Sequence, residues 1–171
     1  MAQTNGPQAA VQSVVNTLAL YLPAAITAEA SAWADGVPLP QMQEILALYR
    51  STIYQYPCVV VSSLDGVVTD DLSGPAGSGL HGMAHRIEIT VLLRGNDLAT
   101  LESQSLRYLH AIQEVLGQHP ALDGSLANTV MCKLVKYGRS AVYADAGKGG
   151  KPSIMGLNAG WTAEVRDEEL L

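Results

Sequence analysis

Between His85 and Arg94 apolar and polar side chains alternate. Ile87, Ile89, Val91 and Leu93 fall on one side of an extended chain, and Arg86, Glu88, Thr90, Leu92 and Arg94 on the other, the period-two signature of a strand with one buried face. After Gly95 and Asn96 the period lengthens. Leu98, Leu101, Ser105, Leu109, Ile112 and Leu116 recur at steps of three and four residues, which predicts an amphipathic helix lying on the apolar face of that strand. Asn96 or Asp97 can cap its start, and Gly117 with Pro120 marks its stop.

The same reading extends to both sides. Residues 1–7 form a flexible lead, and Val11, Val14 or Val15, Leu18 and Leu22 follow helical spacing until Pro23, which should end or kink the helix or open a turn over 24–32. Asp35 to Pro40 is a turn by composition; Met42, Ile45, Leu46 and Tyr49 then suggest a short helix giving way to extended chain near Ile53. Tyr56-Pro57-Cys58-Val59-Val60-Val61 reads as a strand opening on its proline and buried on both faces. From Asp65 to Ala84 periodicity is lost among glycines and aspartates, so a long functional loop is expected there. Thr129 to Lys136 is a strand that Ser140 to Tyr143 extends past a break at Gly138; Ala146 to Pro152 is a basic flexible connection. Ile154 to Val165 alternates as a last strand, and residues 167–171 close the chain as an exposed tail. Helices and strands in this order predict an α+β domain over 8–166, a two-layer arrangement with a mainly antiparallel sheet of about four strands and helices packed on one face.

Composition narrows the function classes. A chain of 171 residues is most simply one domain, long enough to bury about two thirds of the surface its unfolded form exposes. Cys58 and Cys132 sit among β-branched and aliphatic neighbours, where a thiol acts as a small apolar core residue; two buried thiols, and assembly in the cytoplasm, are expected rather than a disulfide. A formal charge of −6 argues against a protein whose affinity comes from neutralising phosphates. An acidic or neutral wall instead lets nucleic acid pass without sticking. No charged side chain precedes Glu29, but Gln12, Ser13, Asn16, Thr17 and Pro23 interrupt the apolar run and no basic region precedes it, so neither a signal peptide nor a membrane span is expected. The uncharged first helix can serve as a subunit contact or as ordinary core.

Motifs with chemical overtones fail on their context. Gly77-Ser78-Gly79-Leu80-His81-Gly82 spells a dinucleotide fingerprint, yet a loop precedes it and a strand follows, so no helix N-terminus is offered to a pyrophosphate. Gly147 to Ser153 lacks the spacing of a phosphate loop. His81 and His85 stand four apart without a third or fourth ligand nearby in sequence. Cys58 is embedded in valines, which makes a thiol inert. No cofactor, metal or catalytic set is expected.

An N-terminal helix (Val11 to Leu22), a Tyr-Pro before a valine-rich strand (Tyr56 to Val61), a long loop, a strand reading RIEITVLL (Arg86 to Leu93), a helix followed by HPALDG (His119 to Gly124) and two closing strands together resemble the tail terminators and related head-tail joining proteins of long-tailed bacteriophages. The resemblance is one of layout and short phrases over residues 8–166. It implies an α+β fold without catalysis, assembled as a ring, usually of six subunits, at the virion's tail and neck junction. Implied partners are further copies of the chain, the tail tube protein (with the sheath if the tail contracts), a neck or connector protein and DNA in transit, with no membrane. On this reading the two loops reach neighbours: Asp70, Asp71 and His81 from one, Lys148 and Lys151 from the other, with opposite charges suited to a head-to-tail contact. Arg86, Glu88 and Arg94 face solvent, a lumen or a neighbour. A different neck or head-completion subunit, or a small α+β enzyme or ligand-binding domain, are the alternatives.

Overall fold

The alternating segments pair into one five-stranded sheet. The computed structural model describes residues 6–48, 54–69, 80–123, 129–146 and 152–170, which form α1 (Pro7–Trp33), β1 (Glu44–Ala47), β2 (Cys58–Thr69), β3 (Leu80–Gly95), α2 (Leu98–Gln118), β4 (Thr129–Ala146) and β5 (Pro152–Leu170). Strand order is β1-β2-β3-β5-β4; β1 runs parallel to β2 and every other neighbouring pair is antiparallel. Both helices pack on one face, so the fold is the expected two-layer α+β arrangement with a fifth strand added.

Period two decides which side chains meet the helices. Val59 and Val61 of β2, Ile87, Ile89, Val91 and Leu93 of β3, and Leu157, Ala163 and Val165 of β5 share one core with Val14, Leu18, Leu22 and Ile26 of α1 and Leu101, Tyr108, Ile112 and Leu116 of α2. Trp161 joins that core's margin, and its Nε1–H donates to the Leu109 carbonyl at 2.8 Å. On the opposite face Cys58 and Val60 are buried with Leu92 beneath Tyr54 and Tyr56, which confirms that this strand is covered on both sides. Both cysteines are free thiols and buried.

Five expectations need correction. Helix α1 passes through Pro23 and ends at Trp33, with Ala34 in a left-handed conformation (φ 40°) as its cap. Core residues lie on both sides of the proline, and its carbonyl accepts from Thr27 Oγ1 at 3.0 Å and from Gln41 Nε2 at 3.0 Å, so packing outweighs the lost backbone donor. The uncharged face of α1 is chiefly core. The segment expected as a short helix is instead β1, because Glu44–Ala47 hydrogen-bonds alongside Cys58–Val61. The expected loop from Asp65 to Ala84 contracts: β2 continues to Thr69 and β3 begins at Leu80. At the far end β4 runs unbroken through Gly138, and the expected tail is strand, with Asp167 buried and paired in register with Met83.

The connection between α1 and β1 is strapped onto the helices by polar groups. Arg107, buried on α2, donates to Asp35 and to the Val37 carbonyl, and its guanidinium lies 5.2 Å from the Trp33 ring centroid. Gln104 Nε2 donates to Pro38 O at 2.7 Å, and the Tyr108 hydroxyl to Pro40 O at 2.6 Å. The hydrogen bond from Arg107 holds the Asp35 carboxyl below the usual carboxylate range.

Candidate assembly surface

The second set of strand side chains points away from both helices. Across β3, β5 and β4 this face is concave, and Glu88, Thr90, Thr162, Glu164, Lys136 and Ser140 line a cavity of about 720 Å³. Thr90, Gly160 and Gly138 stand side by side at its floor. A Cβ on Gly160 would come within 2.6 Å of the Ile89 carbonyl oxygen. Only glycine permits this approach of β5 to β3.

Charges on this face are ordered across the strands. Asp65 pairs in register with Arg86, Arg86 with Glu164, and Glu164 with Lys133. Four strands thus carry a row of alternating sign at one height, starting near one edge of the sheet and ending at the other. Arg86 Nη1 lies 3.1 Å from Asp65 Oδ2, both groups more than half exposed, and Arg166 Nε lies 2.7 Å from Glu164 Oε1. Opposed unlike charges contribute roughly 0.2–1 kcal/mol each on a sheet, and exposed pairs sit at the low end of that range. Their consequence is register and partner choice more than stability.

Apolar groups flank the row. Leu64, at an irregularity in β2 between Ser63 and Asp65, and Val135, at one in β4 between Leu134 and Lys136, are 50% and 59% exposed. Tyr137 is equally open and meets Trp161 edge to face at 5.4 Å. Single exposed apolar residues are ordinary; Leu64 on β2 and Val135 and Tyr137 on β4 stand at opposite ends of the row, on the rim of the cavity.

The sequence-predicted contact residues divide into three groups. Asp70, Asp71, Lys148 and Lys151 lie outside the described residues. His81 lies in β3 opposite Glu169, inside a strand and not in the expected loop. Arg86 and Glu88 line the cavity, and Arg94 stands at the far end of β3 with its guanidinium 4.8 Å from the Tyr56 ring centroid. Asp65, Lys133 and Glu164 escape sequence reasoning because only strand register brings them together.

Polar groups elsewhere tie elements together. Buried His85 has Nε2 3.5 Å from Asp167 Oδ2, and Asp167 Oδ1 accepts from the Met83 N–H at 3.2 Å, which fixes the end of β5 to β3. Glu29 of α1 contacts His110 of α2 and accepts from Trp33 Nε1 at 3.0 Å. Burial pushes the Cys132 thiol up to about 12, away from thiolate chemistry. Among the described residues no group of three or more His, Cys, Asp or Glu side chains is placed to hold a metal ion.

No protein-family model matches the chain, and no curated protein matches it. Among solved structures it is similar to a chain described as belonging to the virion of a native gene transfer agent particle, with 18% identity, coverage of 89% of this chain and 98% of that one, and a TM-score of 0.44.

Proposed function

We propose that this chain is a structural virion protein: a tail terminator that forms a ring, caps the tail tube and joins it to the neck, with DNA passing through the ring. The observation that carries the reading is the one-sided sheet. Helices cover one face, while among the described residues the opposite face holds the cavity and β4, held by the chain after α2 where the Cys132 N–H donates to the Pro120 carbonyl at 2.8 Å, is exposed over residues 135–141. An exposed segment of edge strand is an aggregation hazard for a monomer and an asset for a protein that pairs with its neighbours. Strand edges of both kinds, with unlike charge, suit a heterologous contact that closes into a ring.

The sequence phrases shared with tail terminators occupy positions that matter in this fold. Tyr56-Pro57 leads directly into β2, Arg86 to Leu93 is the middle of the central strand, and His119 to Asp123 follows α2. The concave face carries both signs of charge on a chain of net charge −6, which suits a surface that DNA slides past without being held.

Incubation of the purified chain with tail tubes, imaged in negative stain, tests this reading. Rings seated at one end of the tubes are the expected result. Binding to a portal-side adaptor and not to tubes would reassign the chain to the neck, and binding to neither would remove the virion reading.

A further inference from the structure

Edge strand β4 changes character at the irregularity between Leu134 and Lys136. Before it, the chain after α2 holds the strand through the Cys132 N–H, which donates to the Pro120 carbonyl at 2.8 Å, and Lys133 faces Glu164 across the strand pair. After it, every residue from Val135 to Ala141 is exposed, and among the described residues no backbone hydrogen bond reaches this stretch from outside the β4–β5 ladder. We propose that residues 135–141 are a docking edge that takes an acidic, extended segment of another protein as an added antiparallel strand. The site needs no ring: a single chain offers it.

Position in the sheet supplies the backbone half of the recognition. β4 is the last strand in the order β1-β2-β3-β5-β4, and a terminal strand turns alternate N–H and C=O groups outward. An extended peptide can pair with those groups, and antiparallel pairing gives the more stable ladder.

Charge selects the occupant. From Thr129 to Ala144 the chain holds Lys133, Lys136 and Arg139 and no acid. Glu164 matches Lys133, but Thr162 stands opposite Lys136 and Ala159 opposite Arg139, so the two later cations meet no acid across the pair. Register also assigns their faces. Lys136, Gly138 and Ser140 share the cavity side with Thr162, Gly160 and Asn158, whereas Tyr137 and Arg139 share the helix side with Trp161 and Ala159. An added strand therefore needs an acid on one face opposite Lys136, an acid on the other opposite Arg139, and an apolar side chain opposite Tyr137, which is 58% exposed. In its own direction it reads acid, any residue, apolar, acid. Cations on opposite faces of one strand suit a nucleic acid poorly, because its phosphates call for a single basic surface. The same edge of a second copy would bring cations to cations.

A fluorescein-labelled peptide centred on Thr-Glu-Thr-Val-Glu-Thr tests the edge, with anisotropy reporting affinity and hydrogen exchange of the full chain reporting location. The controls are the same peptide with both glutamates replaced by lysine, the acidic peptide with alternate backbone nitrogens methylated, and a single-stranded oligonucleotide of equal charge. The acidic peptide should protect residues 135–141, bind less tightly as salt rises, and lose binding on methylation, which removes the donors a ladder uses. Lys136→Glu combined with Arg139→Glu, both at exposed positions, should weaken binding roughly tenfold, the worth of two surface ion pairs, with an unchanged circular dichroism spectrum.

Equal binding of the lysine or methylated peptide, protection confined to residues outside 135–141, or no binding at about 1 mM peptide would overturn the proposal. Tighter binding of the oligonucleotide would overturn it in favour of nucleic acid. Protection of 135–141 that rises with protein concentration alone would overturn it in favour of a second copy.

Discussion

Gly160 shows how much one hydrogen atom decides in this sheet. A methyl group there would press on the Ile89 carbonyl at 2.6 Å, whereas one on Gly138, its neighbour across the strand pair, meets nothing within 4 Å. Gly160→Ala should therefore destabilise the fold by about 1–3 kcal/mol, and Gly138→Ala by less than about 0.5 kcal/mol, as read from urea midpoints. Equal effects would mean that the close approach of β5 to β3 is unimportant. Asp167 offers a second contrast. It is a buried acceptor for the Met83 N–H beside His85, and Asp167→Ala should cost about 1–3 kcal/mol by leaving that N–H unsatisfied. The thiols should be silent: with Cys58 fully buried and Cys132 pushed up to about 12, maleimide should label neither until denaturant is added. The sequence signalled the thiol environments through their aliphatic neighbours. It held no signal for Asp167, since an acidic C-terminal stretch reads as solvated until its partner strand is known.

At the scale of elements, what was legible depended on length. β3 and α2 are long enough for their periods to be unmistakable, and their placement against each other follows from those periods. β1 has four residues, fewer than either period needs to declare itself, so Ile45 and Leu46 fit a helix as well as a strand. Pro23 misled for a different reason: its local cost is real, but the apolar residues beyond it, Ile26 above all, are held in the core. The candidate surface was half visible. Alternation identified Arg86 and Glu88 as outward-facing, while Asp65 and Lys133 became relevant only through register. Two carboxylates held by hydrogen bonds yield a prediction at this scale. Asp35 is held low by Arg107, and Asp97, which caps α2, by its hydrogen bonds with Thr100. A depressed folded-state pKa adds stability above the unfolded-state value, near 3.9, and that stability is lost as pH falls through the lower folded value. Thermal midpoints should therefore decline in acid, and replacing both aspartates with asparagine should lower the midpoint at neutral pH and flatten the decline below about pH 4. An unchanged acid slope would show that neither carboxylate contributes.

For the whole molecule, the decisive feature is a sheet whose two helices both lie on one side. Core packing accounts for the helix-covered face, as Ile112 illustrates: fully buried between sheet and α1, its replacement by alanine should cost about 2–5 kcal/mol. Nothing in such packing requires an open concave face or an ordered charge row, and the proposed ring would give both a role. The most direct measurement is size-exclusion chromatography with light scattering on the purified chain, followed by negative-stain imaging of the largest species, with tail tubes added if the free chain does not assemble. Closed rings of uniform subunit number are the expected result. A stable monomer that forms no ring even on tail tubes would contradict it.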